Sequence, residues 1–276
     1  MYVCVLNIFF FFKKKNSGST FPNRNFLLAA TSGGIVNNDI PKLGYNIKTI
    51  FENMDKYRVS YNIYTASPVP YTYLFRYFRT TKSLKNIKHH DIETFYLDCK
   101  NGILPSFVYL EPSMFGTDQR LRNDQHPRAN AFYDIRRGEL FYKQIYEAIR
   151  SSPQWESILF LLTWDEHGGF YDHYPPPTNV VNPDGKSDPT FNFTRLGIRV
   201  PAVLISPLIP KGFVLPKEHI LEHASVSSTI HSLFGTPYLT RRDQQANTFH
   251  QFANLSTPRG DCPMKLPDPA WEYDKN

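Results

Sequence analysis

Two continuous apolar runs organise this chain. Ser157–Thr163 (SILFLLT) has the length of a strand and no polar alternation, which predicts a central strand buried on both faces. Val200–Ser206 (VPAVLIS), closed by Pro207, predicts a second strand of the same kind. Arg58–Tyr64 (RVSYNIY) and Phe107–Leu110 (FVYL) read as further strands. Helical spacing marks Gly138–Arg150, where Phe141, Ile145 and Ile149 share one face. Another helix is expected over Pro22–Ser32, with Thr20 at its N-cap just ahead of Pro22 and Gly33-Gly34 ending it. Ser225–Phe234 reads as a helix preceded by Glu222-His223. Strands alternating with helices imply an α/β fold with a largely parallel sheet, whose ligands bind beyond the carboxyl ends of the strands.

The N-terminal stretch MYVCVLNIFFFFKKKN places its apolar run before its lysines, the reverse of a signal peptide, and the run is too short to span a bilayer as a helix. Met1–Asn16 is therefore expected to lie outside the domain, leaving residues 17–276 as a single domain. No other segment reads as transmembrane, and no repeat or low-complexity tract divides the chain.

Composition changes this picture little. A formal net charge of +6 over 276 residues favours an anionic partner, such as a phospholipid surface or a phosphorylated small molecule. Lys13-Lys14-Lys15 and the spaced Lys82, Lys85 and Lys88 are short clusters without interleaved aromatics, so they read as solvated faces and no nucleic-acid partner is expected. The three cysteines, Cys4, Cys99 and Cys262, lack metal-knuckle or redox spacing. Sequons at Asn192-Phe193-Thr194 and Asn254-Leu255-Ser256 tilt the expectation weakly toward the secretory pathway.

Candidate chemistry gathers directly after the first apolar run. Asp165 and Glu166 offer hard oxygen donors for a divalent cation, His167 offers a further ligand or an acid–base group, and Gly168-Gly169 lets the backbone approach a ligand closely. Taken alone, the triplet reads more simply as a capped strand end with a solvated acidic turn. The wider sequence shifts that balance. TWDEHGGFYDHYPPP (Thr163–Pro177) resembles the signature block of the phospholipase C and acid phosphatase family of phosphoesterases, which includes the plant non-specific phospholipases C. Collinear blocks flank it: STFPNRNFLLAATSGG (Ser19–Gly34), DQHP (Asp124–Pro127), RLGIRVPAVLISPLIPKG (Arg195–Gly212), EHASVSST (Glu222–Thr229), LTRRDQQANTF (Leu239–Phe249) and PRGDCP (Pro258–Pro263).

The resemblance implies an alkaline-phosphatase-like α/β/α sandwich in which a Thr or Ser at a helix N-terminus attacks phosphorus beside a metal site. That nucleophile falls on Thr20, where orphan N–H groups and the helix dipole suit a phosphate; the plain alternative is an ordinary N-cap. Asn23 and Arg24 in the first turn are implied to assist phosphate binding, with a surface or structural ion pair as the alternative for Arg24. Asp165 and Glu166 are implied as ligands of a divalent metal ion. His126, His167 and His223 are implied to protonate the leaving group or orient phosphoryl oxygens, while His89, His90, His219, His231 and His250 match no block. Cys99 and Cys262 are expected to pair, since Cys262 lies in a matched block and Cys4 lies in the doubtful N-terminal stretch.

The chain departs from the family pattern at its beginning. The family opens with a strand followed by a Glu-Asn-Arg-Ser-Phe-Asp-His block whose Glu and Asn complete the metal site, and nothing in Met1–Asn16 resembles it. The expectation is an N-terminally truncated domain of one of three kinds. One cleaves phospholipids as a phospholipase C through a phospho-threonine intermediate, with peripheral membrane contact. The others are an acid phosphatase acting on soluble phosphomonoesters and an impaired fragment or non-enzymatic homologue.

Overall fold

A computed structural model describes residues 1–8, 19–81, 88–114, 122–126 and 134–270 of the chain. Six strands form its sheet: β1 (Tyr2–Ile8), β2 (Tyr61–Thr65), β3 (His89–Asp91), β4 (Phe107–Glu111), β5 (Ile158–Trp164) and β6 (Ala202–Ile205), in the order β3-β2-β4-β1-β5-β6. All pairings are parallel except β5 with β6. The helices are α1 (Thr20–Ala29), α2 (Ile50–Lys56), α3 (Arg76–Thr80), α4 (Ile92–Asn101), α5 (Ile135–Ser151), α6 (Ala224–Phe234) and α7 (Arg241–Gln245).

The period-2 alternation of the strands builds two cores, one on each face. Tyr61, Ile63, Phe107, Tyr109, Leu159 and Leu161 point to the side covered by α1, α2 and α6. Their neighbours Tyr64, Val108, Leu110, Ile158, Phe160 and Leu162 point to the side covered by α4 and α5. The result is a three-layer α/β/α arrangement, as expected of strands that are continuous apolar runs.

The first eight residues correct one expectation. Tyr2–Ile8 is not outside the domain: it pairs with β4 on one side and β5 on the other, and Val3, Cys4 and Val5 are fully buried. Each buried Val there contributes about 1.5–3 kcal/mol of apolar burial, which no solvated extension would gain. The rest of the Met1–Asn16 segment lies outside the described residues. A second correction concerns Val200–Ser206, which was expected to form a central strand. Only Ala202–Ile205 is a strand; it is antiparallel at the sheet edge, with Val203 44% exposed. Third, Cys99 and Cys262 are not bonded: all three thiols are free. Cys4 and Cys99 are buried in the core between the sheet and α4–α5, whereas Cys262 packs at its margin.

Local signals set the helix ends. Thr49 and Glu52 form a reciprocal capping box on α2, and Asp91 caps α4 by accepting the Thr94 N–H at 2.8 Å. Helix α1 starts two residues before the expected Pro22 and stops at Ala29, because Ala30 turns left-handed (φ 55°) and its N–H closes on the Phe26 carbonyl at 2.9 Å. Among the described residues no helix is long and apolar enough to cross a membrane.

Candidate active site

Parallel strands deliver their last residues to one edge of the sheet, and alternation decides which face those residues take. Tyr109 points to the α1 side, so Glu111, two residues on, does too. Leu159 and Leu161 share that side, and Asp165 follows in the same phase just beyond β5. The two carboxylates thus face α1 from strands on either side of β1, and both are almost completely buried, at 1% exposure each.

Between them lies Arg24 of α1, itself fully buried. Its Nε is 3.4 Å from Asp165 Oδ2, and its Nη1 is 3.4 Å from the Tyr109 hydroxyl and 4.0 Å from Glu111 Oε1. The guanidinium carbon sits 5.1 Å from the centre of the Tyr71 ring. Arg24 is therefore turned into the protein as a counter-ion of two carboxylates. Even with that positive charge close by, burial pushes the Glu111 carboxyl up to about 7. Asp124 is raised to about 6 by burial, offset by Arg122, by backbone N–H groups including that of His126, and by Arg24.

Thr20 is the first residue of α1 and is fully buried; the N-cap is Ser19, not Thr20. The expected pool of orphan N–H groups is largely used: Phe21 N–H donates to Asn38 Oδ1 at 2.9 Å, Pro22 has no N–H, and Asn23 N–H reaches the Ser19 carbonyl at 3.4 Å. Asn23 is partly exposed. The Arg24–Asp165 contact, one helical turn beyond Thr20, places the start of α1 against the carboxyl end of β5.

Glu166 is buried, and its Oε2 accepts the Gly168 N–H at 3.1 Å and lies 3.5 Å from His167 Nδ1. Burial lowers the pKa of His167. His223, at the N-cap of α6, packs against the backbone of Trp164 and Asp165; burial drives its pKa down to about 4 despite those carbonyls, and the charge of Arg24 pushes the same way. Its Nε2 has no hydrogen-bond partner, which suits a neutral imidazole with a free acceptor. Arg242, buried and bonded through Nε to Glu222 Oε2 at 2.6 Å, fixes the turn that carries His223. His126 is also buried, beside Asp124. Gln125 between them adopts φ 56° and joins the Trp164 indole N–H, at 3.0 Å, to the Ile135 carbonyl, at 3.1 Å.

Helix α1, the end of β5 and the start of α6 thus carry Thr20, Arg24, Asp165, Glu166 and His223 to one end of the sheet. Glu111 and Asp124 join them through Arg24, though neither was singled out from the sequence. Asp124 lies inside the DQHP block; Glu111 carried only the faint signal of a charge ending an apolar strand before Pro112.

Asp165 and Glu166 are the residues here that would hold a divalent ion, and both are buried. Asp165 already faces a guanidinium, and among the described residues no group of three His, Cys, Asp or Glu side chains is placed to hold a metal ion.

Comparison with known proteins accords with the blocks. The chain is 42% identical over 265 residues to non-specific phospholipase C4 of Arabidopsis thaliana, covering 91% of this chain and 48% of that protein. It is 42% identical over 266 residues to non-specific phospholipase C1 of the same plant, covering 91% and 49% respectively. The chain spans about half the length of the curated relatives it matches. Among solved structures, a protein in the alkaline phosphatase superfamily from Vibrio parahaemolyticus matches with a TM-score of 0.43 and 11% identity, over 91% of this chain and 71% of that one. The profile of the Phosphoesterase family matches residues 11–237, and the chain belongs to that family.

Proposed function

We propose that the protein acts as a phosphoric ester hydrolase of the phospholipase C type, cleaving phospholipids through a phospho-threonine intermediate on Thr20. What supports this reading is the Arg24–Asp165 contact, which joins the helix that begins with Thr20 to the acidic end of β5. In this scheme the Thr20 hydroxyl attacks phosphorus and the alcohol of the ester leaves. His223, neutral at pH 7 with Nε2 free to accept, takes the proton of the Thr20 hydroxyl and gives it to the departing alkoxide; water then attacks the phospho-threonine, and His223 takes a proton from that water and returns it to the Thr20 oxygen as the phosphate ester leaves. Asn23, partly open at the mouth, contacts a phosphoryl oxygen. Arg24 keeps Asp165 oriented, while His167 and His126 line the approach. The described residues do not complete a divalent site, so no step is assigned to a metal.

The same observation supports a second reading, in which the chain keeps the fold but not the turnover. Asp165 is engaged by Arg24, and no third donor joins Asp165 and Glu166 among the described residues. Residues 1–276 should therefore hydrolyse a phosphodiester lipid and a soluble phosphomonoester poorly, with or without added divalent cations. Where a longer protein containing this chain turns over, Thr20→Ala should remove about a thousandfold or more of the rate and Asp165→Asn should reduce it as well. Full activity of Thr20→Ala would exclude the covalent scheme.

A further inference from the structure

Glu111 matches no motif, yet it touches both supports of α1. Its Oε2 accepts the Tyr71 N–H at 2.8 Å. Its Oε1 has no hydrogen bond and stands 4.0 Å from Arg24 Nη1. The Tyr71 ring in turn lies beneath the Arg24 guanidinium, and the Tyr71 hydroxyl is 2.9 Å from the Phe21 carbonyl and 2.8 Å from Asn25 Oδ1. One carboxylate on β4 thus reaches α1 by two routes, by charge through Arg24 and by backbone through Tyr71. Both routes end within the first two turns of the helix that begins with Thr20.

We propose that Glu111 is a positioning residue of this site: it fixes the Arg24 guanidinium against Asp165 and holds Tyr71 beneath it, so that the start of α1 and the end of β5 keep one geometry. The link to chemistry rests on the phosphoesterase reading of this cleft. A buried carboxylate is costly, and an apolar residue of similar volume would often serve stability as well. What the carboxylate adds is a second negative charge beside Arg24, on the side of the guanidinium that carries Nη1, joined by the Tyr71 N–H bond to the ring beneath it, while Asp165 and the Tyr109 hydroxyl stand 3.4 Å from Nε and Nη1.

Glu111→Gln separates position from bulk, since its amide oxygen still accepts the Tyr71 N–H while the charge facing Arg24 is lost. In the full chain at mildly alkaline pH, the Arg24 Nε–Hε resonance is followed by NMR in the wild type and the variant. That resonance should shift in Glu111→Gln. Glu111→Asp, which withdraws the carboxylate by one methylene, should shift it less and serves alone if the Gln variant does not fold. An unchanged Arg24 resonance in whichever variant folds overturns the proposal. A second arm titrates inorganic phosphate. A carboxylate that acts only as a nearby negative charge would, once neutralised, let phosphate bind more tightly, and that result also overturns positioning; the positioning role predicts binding weaker by about threefold or more. Phosphate that binds neither form counts against the phosphoesterase reading, and the Arg24 resonance still decides the role of Glu111.

Discussion

At the scale of single residues, the pKa of Glu111 ties the site to stability. Its folded value is raised from 4.5 to about 7, so the native state holds this proton over a range in which the unfolded chain releases it. The group therefore favours folding most at pH below its unfolded value, and that contribution is lost as pH rises toward its folded value. The full swing is on the order of 3 kcal/mol. Denaturant unfolding across this range should show wild-type stability falling relative to Glu111→Gln as pH rises; parallel pH curves would mean that Glu111 titrates as it does in water. Gly138 offers a second case. In a helix Gly→Ala normally gains about 1 kcal/mol, but a Cβ at 138 would collide with Gln125 Cγ and crowd the Asn123 carbonyl at 3.1 Å. Overpacking of that kind costs about 1–3 kcal/mol. Gly138→Ala should therefore lower stability in denaturant unfolding, and any gain would show that the Gln125 loop yields freely. Asp165, Glu166 and Thr20 stand out as candidates in the sequence because each lies in a matched block or near an element boundary. Glu111 was not, since its meaning depends on Tyr71, Arg24 and Asp165, which lie far away in sequence.

At the scale of elements, the signals that identify a helix or a strand are local. Helix α5 and strand β5 were found to within a few residues because periodicity and run length are local properties. Strand β1 was misread because an apolar run followed by lysines has no local sign of its partners: Val3 pairs with Phe107 of β4 and Tyr2 with Ile158 of β5, far along the chain. The edge position of β6 was missed for a related reason: an apolar run alone does not tell a central strand from an edge strand. The place of β1 is open to a direct test. Val5→Ala should cost about 2–3 kcal/mol if this side chain sits in the core, against about 0.5 kcal/mol or less for a residue outside the domain. Urea unfolding of the two proteins distinguishes these outcomes.

At the scale of the whole molecule, the three layers put the free thiols in two environments. Cys4 and Cys99 lie inside the core between the sheet and α4–α5, and burial pushes the Cys4 thiol up to about 12. Cys262 is only half-buried. A thiol reagent should label Cys262 in the native protein and the other two only on unfolding, and a reductant should leave the melting temperature unchanged. A reductant-sensitive melting temperature would instead point to a disulfide. Secretion, toward which the sequons tilted the reading, gains no support from the cysteines, which are all free.

The position of β1 also bears on how the protein is made. Its neighbours span residues 107–111 and 158–164, so on the ribosome Tyr2–Ile8 emerges long before either can receive it. Until residue 164 has left the exit tunnel, an apolar stretch waits without its sheet, free to pair with the wrong strand or with a second nascent chain. Synthesis of this fold thus carries an interval in which a chaperone has a defined segment to shield.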